Sequence, residues 1–177
     1  MPFPPPCHRH LPGLTLVEFA AAVALLAILV AMALPALVQP LERSRADTTR
    51  MRLVSMFNTA RAMAITHRRA VTVCPSLDGT GCDADWARGW LILADRSPNA
   101  AEEASPRQFM GGTRSPRIRV DSTEGRKYLR FQGDGRSGGN TLTVSICVGA
   151  ELHSSVIVNN VGRTRSARQR SRAPCPF

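Results

Sequence analysis

Five arginines near the C-terminus are the residues whose type and spacing most directly suggest a chemical role. They fall within ten residues, and no acidic residue follows Glu151. They are Arg163, Arg165, Arg168, Arg170 and Arg172. An arginine guanidinium is a planar fork of donors that matches the oxygens of a phosphate. The cluster therefore predicts a surface that binds a polyanion. A solvated basic loop and a patch that faces an acidic protein partner are the alternatives.

The charge distribution also favours a polyanion partner. The 177-residue chain carries a formal charge of +10, and residues 105–177 contain 13 basic and 4 acidic side chains, against 10 and 9 in residues 1–104. Aromatic residues make up only 5% of the chain and none lies between the five arginines, so base stacking on single strands is not expected. No recognition helix is predicted there either. We therefore expect any DNA binding to be double-stranded, non-specific and made through phosphates.

A single acid stands at the start of a long apolar run. Glu18 is followed by twenty uncharged residues, Phe19 to Val38. At about 1.5 Å per residue, a helix of this length spans about 30 Å, the thickness of the hydrocarbon core of a bilayer. The run is longer than the apolar core of a secretory signal, which has about 7–15 residues. It predicts a transmembrane helix in which the Glu18 carboxylate, costly in lipid, is expected to have a partner or a function; the alternative is that Glu18 simply faces the headgroups.

Four of the five cysteines lie beyond this run. An even number in a domain outside the membrane predicts two disulfides, and three pairings are possible. We favour Cys74–Cys82 with Cys147–Cys175. No CxxC is present and the histidines of this region stand alone, so no metal site is expected. No Ser-His-Asp, HExxH, paired-carboxylate or Walker pattern is present, so neither catalysis nor a cofactor is expected.

One long helix followed by strands must position these residues. After Pro40, apolar residues recur at spacings of three and four, which predicts that the helix continues to about residue 69 with a stripe packed against a globular domain. The stripe is Leu53, Met56, Phe57, Ala60, Met63 and Ala64. Alternating or continuous apolar patterns bounded by turn residues predict the strands. These are Ala70–Cys74, Gly89–Ala94, Arg117–Val120, Tyr128–Gln132, Thr141–Val148 and Ser155–Asn159.

The connections carry further predictions. Pro35 and Pro40 should kink or loosen the helix, because proline removes a backbone donor. Residues 95–116 are rich in proline, serine, glycine and charge, which indicates an exposed loop. Gly133–Gly139 is predicted to be a hairpin turn in preference to a phosphate-binding loop, because strands flank it and no helix follows. The basic C-terminal segment is predicted to be a loop that a bond between residues 147 and 175 would close.

The N-terminal motif resembles the class III leader of type IV pilin-like proteins. A short basic leader ends in Gly13, and Leu14, Thr15-Leu16-Val17 and Glu18 follow directly. The resemblance implies that a prepilin peptidase cuts after Gly13 and methylates Leu14, where the family usually has phenylalanine. It also implies that Glu18 neutralises the N-terminal amine of a neighbouring subunit during filament assembly. Each charge is costly in lipid alone and much cheaper when paired.

The rest of the chain resembles the GspH/FimT branch of the same family. The matching features are the segment VTVCPSLDGTGC, the W-x-x-G-W of Trp86–Trp90 and the Gly-Arg-x-Arg of Gly162–Arg165. The resemblance implies an α+β, pilin-like fold, with a long N-terminal helix packed on a C-terminal antiparallel two-sheet β domain. Within the FimT group, Gly-Arg-x-Arg is linked to DNA binding in natural transformation. This link implies a DNA-binding role for Gly162 and the five arginines.

These features together predict a minor pilin of a type IV pilus that binds DNA through its arginine loop. The alternative is a structural pseudopilin of a type II secretion system, without a role in nucleic-acid binding. The expected division is a cleaved leader (1–13), a transmembrane and filament-core helix (14–38), its amphipathic continuation (39–69) and a periplasmic β domain (70–177).

The predicted setting is the inner membrane, with a single pass and a periplasmic C-terminal domain. The basic residues after the apolar run would by themselves place that domain in the cytoplasm, whereas the cysteines and the leader favour the periplasm. The expected partners are other major and minor pilins, the prepilin peptidase, an inner-membrane assembly platform and double-stranded DNA.

Overall fold

A computed structural model describes residues 15–95, 107–113, 115–123, 126–139 and 141–177. In these residues, one helix is followed by eight strands. They are α1 (Leu16–His67), β1 (Val71–Pro75), β2 (Gly89–Ala94), β3 (Arg107–Gly111), β4 (Ile118–Ser122), β5 (Leu129–Phe131), β6 (Leu142–Val148), β7 (Glu151–Val158) and β8 (Thr164–Arg168). The chain divides after Gln39 into two compact units.

The first unit contains the apolar part of α1. The helix begins after Thr15, whose Oγ1 accepts a hydrogen bond from the Glu18 amide at 3.3 Å. A threonine three residues before a glutamate is the sequence pattern of a capping box, and an acid in the first turn is favourable near the positive end of the helix dipole. Residues Leu16–Leu34 are long and apolar enough to cross a membrane, and their side chains are exposed. The helix is uninterrupted at Pro35 and Pro40, so neither proline ends it.

The second unit contains the rest of α1 and the strands. The predicted apolar stripe lies in the core: its members are fully buried except Met63, which is half-buried. Trp86 and Trp90 are also fully buried, and the Trp90 indole donates a hydrogen bond to the Trp86 carbonyl at 2.8 Å. A buried carboxylate, Glu42, accepts a hydrogen bond from the Ser115 hydroxyl at 2.6 Å and so ties the helix to the segment before β4.

Two antiparallel sheets complete this unit. The first has the strand order β3-β2-β1-β5 and the second β4-β6-β7-β8. The predicted architecture, a long N-terminal helix packed on a C-terminal antiparallel two-sheet domain, is confirmed. Both disulfides have the favoured pairing, with Cα–Cα distances of 5.6 Å for Cys74–Cys82 and 5.9 Å for Cys147–Cys175.

Three predictions about the connections are wrong. The segment 95–116 is not wholly a loop, because β3 lies in it; residues 96–106 and 114 are outside the described residues. The basic C-terminal segment is not a simple loop either, because it contains β8. The turn Gly133–Gly139 does not close a hairpin. It follows β5, which pairs with β1 in the first sheet, and precedes β6, which pairs with β4 and β7 in the second.

Candidate nucleic-acid interface

The arginine segment is organised by β8, an edge strand of the second sheet. In its antiparallel register with β7, Ser166 is opposite Val156 and Arg165 is opposite Ile157. Opposed residues direct their side chains to the same face, and successive residues alternate. Val156 is fully buried, whereas Ile157 is 37% exposed. The strand therefore turns Ser166 and Arg168 towards the core and Arg165 towards solvent.

The core-facing residues of β8 are bound to α1. Arg168 forms an ion pair with Asp47, with 3.0 Å between Nη2 and Oδ2. Arg50 donates a hydrogen bond to the Ser166 hydroxyl at 2.9 Å, and its other terminal nitrogen lies 3.4 Å from Asp47 Oδ1. We name these residues and His153 of β7 the fastening cluster; its members are Asp47, Arg50, His153, Ser166 and Arg168. Part of the basic segment therefore holds the sheet edge to the helix.

His153 is the titratable group of this cluster. Its side chain is 7% exposed, and its Nε2 lies 3.9 Å from Asp47 Oδ2. Burial lowers the pKa of His153 below its ordinary value; Asp47 opposes this shift, whereas the charges of Arg168, Arg50 and Arg43 add to it. The imidazole is therefore neutral at neutral pH. Protonation would add a positive charge beside these arginines, which is unfavourable.

The other arginines of the segment face solvent. Arg163, Arg165 and Arg170 are exposed, and none forms an ion pair with an acid of the described residues. Arg172 is 87% exposed and lies 3.6 Å from Glu151. Within the part of the chain that the structure describes, the five predicted residues thus divide into three without an acidic partner and two with one.

Gly162 has a structural role in the turn between β7 and β8. Its φ of +75° is in the left-handed region, and a Cβ at this position would lie 1.9 Å from the Gly135 carbonyl oxygen. Its amide donates a hydrogen bond to the Asn159 carbonyl at 2.8 Å, and the Arg163 amide donates one to Asn159 Oδ1, also at 2.8 Å. Only glycine fits here without strain. It positions Arg163, and nothing in this geometry requires it to touch a ligand.

The segment after β8 is held against the start of β7. The Leu152 amide donates to the Ala173 carbonyl and the Cys175 amide to the Ala150 carbonyl, both at 2.9 Å. The disulfide from Cys175 to Cys147 of β6 closes the segment covalently. The exposed arginines therefore lie on a segment whose backbone is bonded to the sheet both within β8 and after it.

The predicted N-terminal sites fall at the edge of the described chain. Gly13 and Leu14 lie outside the described residues. Glu18 is exposed in the first turn of α1. Within the described residues, no three histidine, cysteine, aspartate or glutamate side chains are grouped as metal ligands.

Sequence reasoning missed Asp47 and Arg50. One signal was present, because Asp47 is one of only two acids in the stretch 41–52, which contains four arginines. An acid in such a stretch is a candidate partner for a basic strand. The strand itself was not recognised, so the pairing could not be predicted.

A family model described as "Type II transport protein GspH" matches residues 49–162. The chain belongs to the GspH family. This is a family of structural, pilin-type subunits, and membership implies association with other pilins. Together with the apolar helix Leu16–Leu34, it fits a single-pass, membrane-anchored pilin. The match ends at Gly162, so the arginines of β8 lie beyond the matched residues.

Two solved structures are similar to this chain. Both are crystal structures of the type IV minor pilin FimU from Pseudomonas aeruginosa, in space groups P21 and P65. The first has a TM-score of 0.57 at 18% identity and covers 75% of this chain and 95% of its own; the second has 0.52 at 17%, with 73% and 95%. At these identities the likeness shows the fold. No curated protein matches the sequence. The expected GspH/FimT-like pilin is confirmed.

Proposed function

We propose that this GspH-family subunit is a minor pilin of a type IV pilus that binds double-stranded DNA non-specifically, for DNA uptake in natural transformation. One observation supports this most strongly. Arg163, Arg165 and Arg170 are exposed around an edge strand without an acidic partner in the described part of the chain. Such guanidinium groups can contact phosphates without first breaking an internal ion pair.

The way the arginines are held also supports binding. They lie on β8 and on a segment that is hydrogen-bonded to the start of β7 and closed by the Cys147–Cys175 disulfide. Less conformational entropy is lost when such a segment binds than when a free tail becomes ordered. Arg168 and Arg172 contribute less in this proposal, because each already has an acidic neighbour.

The test is the salt dependence of duplex binding by the full-length protein in an uncharged detergent. Fluorescence anisotropy is measured with two labelled duplexes of unrelated sequence. Each phosphate contact adds about −0.9 to the log–log salt slope, so Arg163→Gln with Arg165→Gln should reduce the slope by about 1.8 on both duplexes.

The matched control removes two charges elsewhere. Arg52→Gln with Arg117→Gln changes the net charge equally, and both side chains are exposed, one on α1 and the other before β4 at the opposite edge of the sheet from β8. This variant should retain the wild-type slope. Salt-insensitive binding by the wild type, or equal slopes for the two double variants, would contradict the proposal.

The proposal includes an inner-membrane anchor and a periplasmic β domain. The two disulfides support an oxidising compartment, and the motif at Gly13 and Leu14 supports cleavage and N-methylation by a prepilin peptidase. Intact-protein mass spectrometry should show a methylated chain that begins at Leu14. An intact Met1 would contradict this part of the proposal.

Glu18 is proposed to pair with the N-terminal amine of a neighbouring subunit as the filament forms on its inner-membrane assembly platform. Glu18→Gln should leave cleavage intact and reduce the amount of subunit in purified filaments. Because Glu18 also lies in the capped first turn, Thr15→Ala is the control: it removes the cap oxygen and keeps the carboxylate. An equal loss of incorporation in both variants would indicate a helix-capping role instead.

The second candidate is a structural pseudopilin of a type II secretion system. The fastening cluster favours it, because Arg168 and Arg50 connect β8 to α1 and have no need of a nucleic acid. This function predicts that the wild type does not bind duplex DNA and that it co-purifies with secretion pseudopilins from crosslinked cells. Co-purification with pilus subunits instead would favour the first proposal.

A further inference from the structure

Three backbone segments of the second unit meet at one place beside the start of β8. They are the C-terminal end of α1, the turn Gly133–Ser137 and the turn Asn159–Arg163. The Ser137 amide donates a hydrogen bond to the Asn160 carbonyl at 3.1 Å, and the Ser137 hydroxyl donates one to the Asn159 carbonyl at 2.9 Å. These bonds join the two turns, and a hydrogen bond from Arg61 Nε to the Gly135 carbonyl at 3.1 Å joins the first turn to α1.

The glycines of the two turns allow this close approach. A Cβ at Gly133 would lie 2.7 Å from the carbonyl carbon of Arg68, just after α1. A Cβ at Gly162 would collide with the Gly135 carbonyl oxygen and would lie 3.3 Å from Arg61 Nε. The turn from Gly133 to Gly135 thus lies along the last two turns of the helix, and the second turn rests on it.

Each of these segments carries arginines, and we name four of them the arginine corner. They are Arg61, Arg68, Arg136 and Arg163. None of the four forms an ion pair with an acid among the described residues. The acid within the three segments is Asp134, whose Oδ1 accepts the Arg136 amide at 2.9 Å. The corner therefore combines four basic side chains with one acid that is engaged by the backbone.

Arg61 is oriented before any ligand binds. Its Nε donates a hydrogen bond to the Gly135 carbonyl at 3.1 Å, and its side chain is half-buried. This bond restricts the orientation of the guanidinium and leaves the two terminal nitrogens as donors. A fork held in this way loses less conformational freedom when it contacts a phosphate than a free arginine does.

Arg68 occupies a backbone position that suits glycine. It has φ of +49° and is the one non-glycine residue with positive φ in the described chain. The Arg68 amide donates to the Ile65 carbonyl at 3.3 Å and the Arg69 amide to the Ala64 carbonyl at 3.2 Å, the hydrogen-bond pattern of a Schellman cap. Glycine adopts this conformation without the steric penalty that a Cβ causes. A strained residue whose side chain forms no ion pair within the described residues motivates the hypothesis that the side chain has a use.

We propose that the arginine corner is a phosphate-binding site for the backbone of duplex DNA. It extends the contact of β8 onto the end of α1. This inference rests on the proposed function, and Arg163 belongs to both surfaces. Duplex DNA is favoured over an acidic protein because the four guanidinium groups come from three segments that are joined by hydrogen bonds. A regular array of phosphates can meet such groups without a matched fold.

The first test is the slope of duplex binding by the full-length protein in an uncharged detergent. Arg61→Gln with Arg136→Gln should weaken binding and reduce the log–log salt slope by about 1.8, whereas the control Arg52→Gln with Arg117→Gln should not. Because Arg61 also bonds to the Gly135 carbonyl, Arg136→Glu alone is the safeguard for folding. The Arg136 side chain makes no bond within the described residues, so this variant should lower the affinity for duplex DNA without changing thermal unfolding.

The second test separates stability from binding at one residue. Arg68→Gly should raise the midpoint of thermal unfolding by about 1–4 °C, because glycine relieves the left-handed strain. The same variant should reduce the salt slope by about 0.9. A merely structural role for Arg68 would give the rise in stability with an unchanged slope.

The outcomes distinguish this inference from the function on which it rests. If Arg163→Gln with Arg165→Gln weakens binding but the variants at residues 61, 68 and 136 retain the wild-type slope, the arginine corner is overturned and the proposed function stands. If the wild type does not bind duplex DNA, both are overturned. Capture of an acidic pilin that depends on Arg61 and Arg136, without any change in DNA binding, would also overturn the inference.

Discussion

Replacing Asp47 by asparagine should loosen β8 from α1 and, at the same time, strengthen binding to DNA. The carboxylate lies 3.0 Å from Arg168 and 3.4 Å from Arg50, and asparagine keeps its shape while removing its charge. Arg168 is 58% exposed, so its ion pair is largely screened, whereas Arg50 is 20% exposed. Exposed ion pairs contribute about 0.2–1 kcal/mol each. The free energy of unfolding should therefore fall by about 1 kcal/mol, or about 2–5 °C in the unfolding midpoint.

The pH dependence follows from His153, whose pKa is lowered in the folded state. The unfolded chain then binds the proton more tightly than the folded chain does. The contribution of His153 to stability is fully present above the ordinary histidine pKa of 6.5. It is lost as the pH falls from there through the pKa of His153 in the folded protein. Because Asp47 raises the pKa of His153, Asp47→Asn lowers it further. The loss of stability on acidification should therefore be larger in the variant.

Asp47→Asn should lower stability but strengthen DNA binding. Without its acidic partner, Arg168 becomes available to a phosphate, and the salt slope should increase by up to about 0.9. Unfolding is followed by the fluorescence of Trp86 and Trp90, the only tryptophans and both fully buried. Binding is followed by anisotropy on the same samples.

The control for this prediction is Asp85→Asn. It changes the net charge equally and removes an ion pair with Arg88 in which the two side chains are 64% and 53% exposed. The oxygen of the asparagine side chain can still accept the Ala87 amide, which Asp85 Oδ1 accepts at 2.9 Å. A double-mutant cycle of Asp47→Asn with Arg168→Gln should show non-additive stability. Additive effects, or an unchanged stability and an unchanged slope in Asp47→Asn, would refute the role assigned to the fastening cluster.

Three further predictions concern stability, and each is measured by chemical denaturation. Gly162→Ala should destabilise by about 2–5 kcal/mol, because it adds left-handed strain and a collision with the backbone. The control Gly139→Ala should destabilise by only about 1 kcal/mol, because Gly139 has positive φ but open space around it. Equal losses would contradict the packing argument. Cys147→Ser with Cys175→Ser should destabilise by roughly 3–4 kcal/mol, because the closed loop spans 28 positions, and no loss would contradict its closure. Glu42→Gln should lower the free energy of unfolding by about 1–2 kcal/mol, because the hydrogen bond from the Ser115 hydroxyl weakens and the ion pair with Arg45 at 3.0 Å is lost; a neutral result would contradict a stabilising role for these contacts.

The parts of the fold that could be predicted are those with strong local patterns. The apolar run and the stripe from Leu53 to Ala64 gave the helix, because a period near 3.6 is repeated over many turns. The strand Leu142–Val148 was predicted almost to the residue, since its apolar side chains alternate and are buried. In such segments burial and sequence period carry the same information.

The edge strands β3 and β8 were missed, whereas the edge strands β4 and β5, whose side chains alternate between buried and exposed, were predicted. In β8 the core-facing positions hold Ser166 and Arg168, which bond to polar groups of α1 instead of entering an apolar core. Polar residues on both faces remove the alternation by which a strand is recognised. The wrong hairpin at Gly133–Gly139 has a different cause. Sequence shows that a tight turn is present, but not that the strands on its two sides belong to different sheets.

Once β8 is known to be a strand, the spacing of the arginines explains their different roles. Arg165 and Arg168 are three positions apart, which on a strand of period two places them on opposite faces. One therefore faces solvent, and the other pairs with Asp47. A helix or an irregular loop with the same sequence would not separate them in this way. The segment can consequently fasten the sheet edge with one residue and present the other to a polyanion. Moving the arginine at position 168 by one position along the strand should abolish its pairing with Asp47 and strengthen binding to a polyanion.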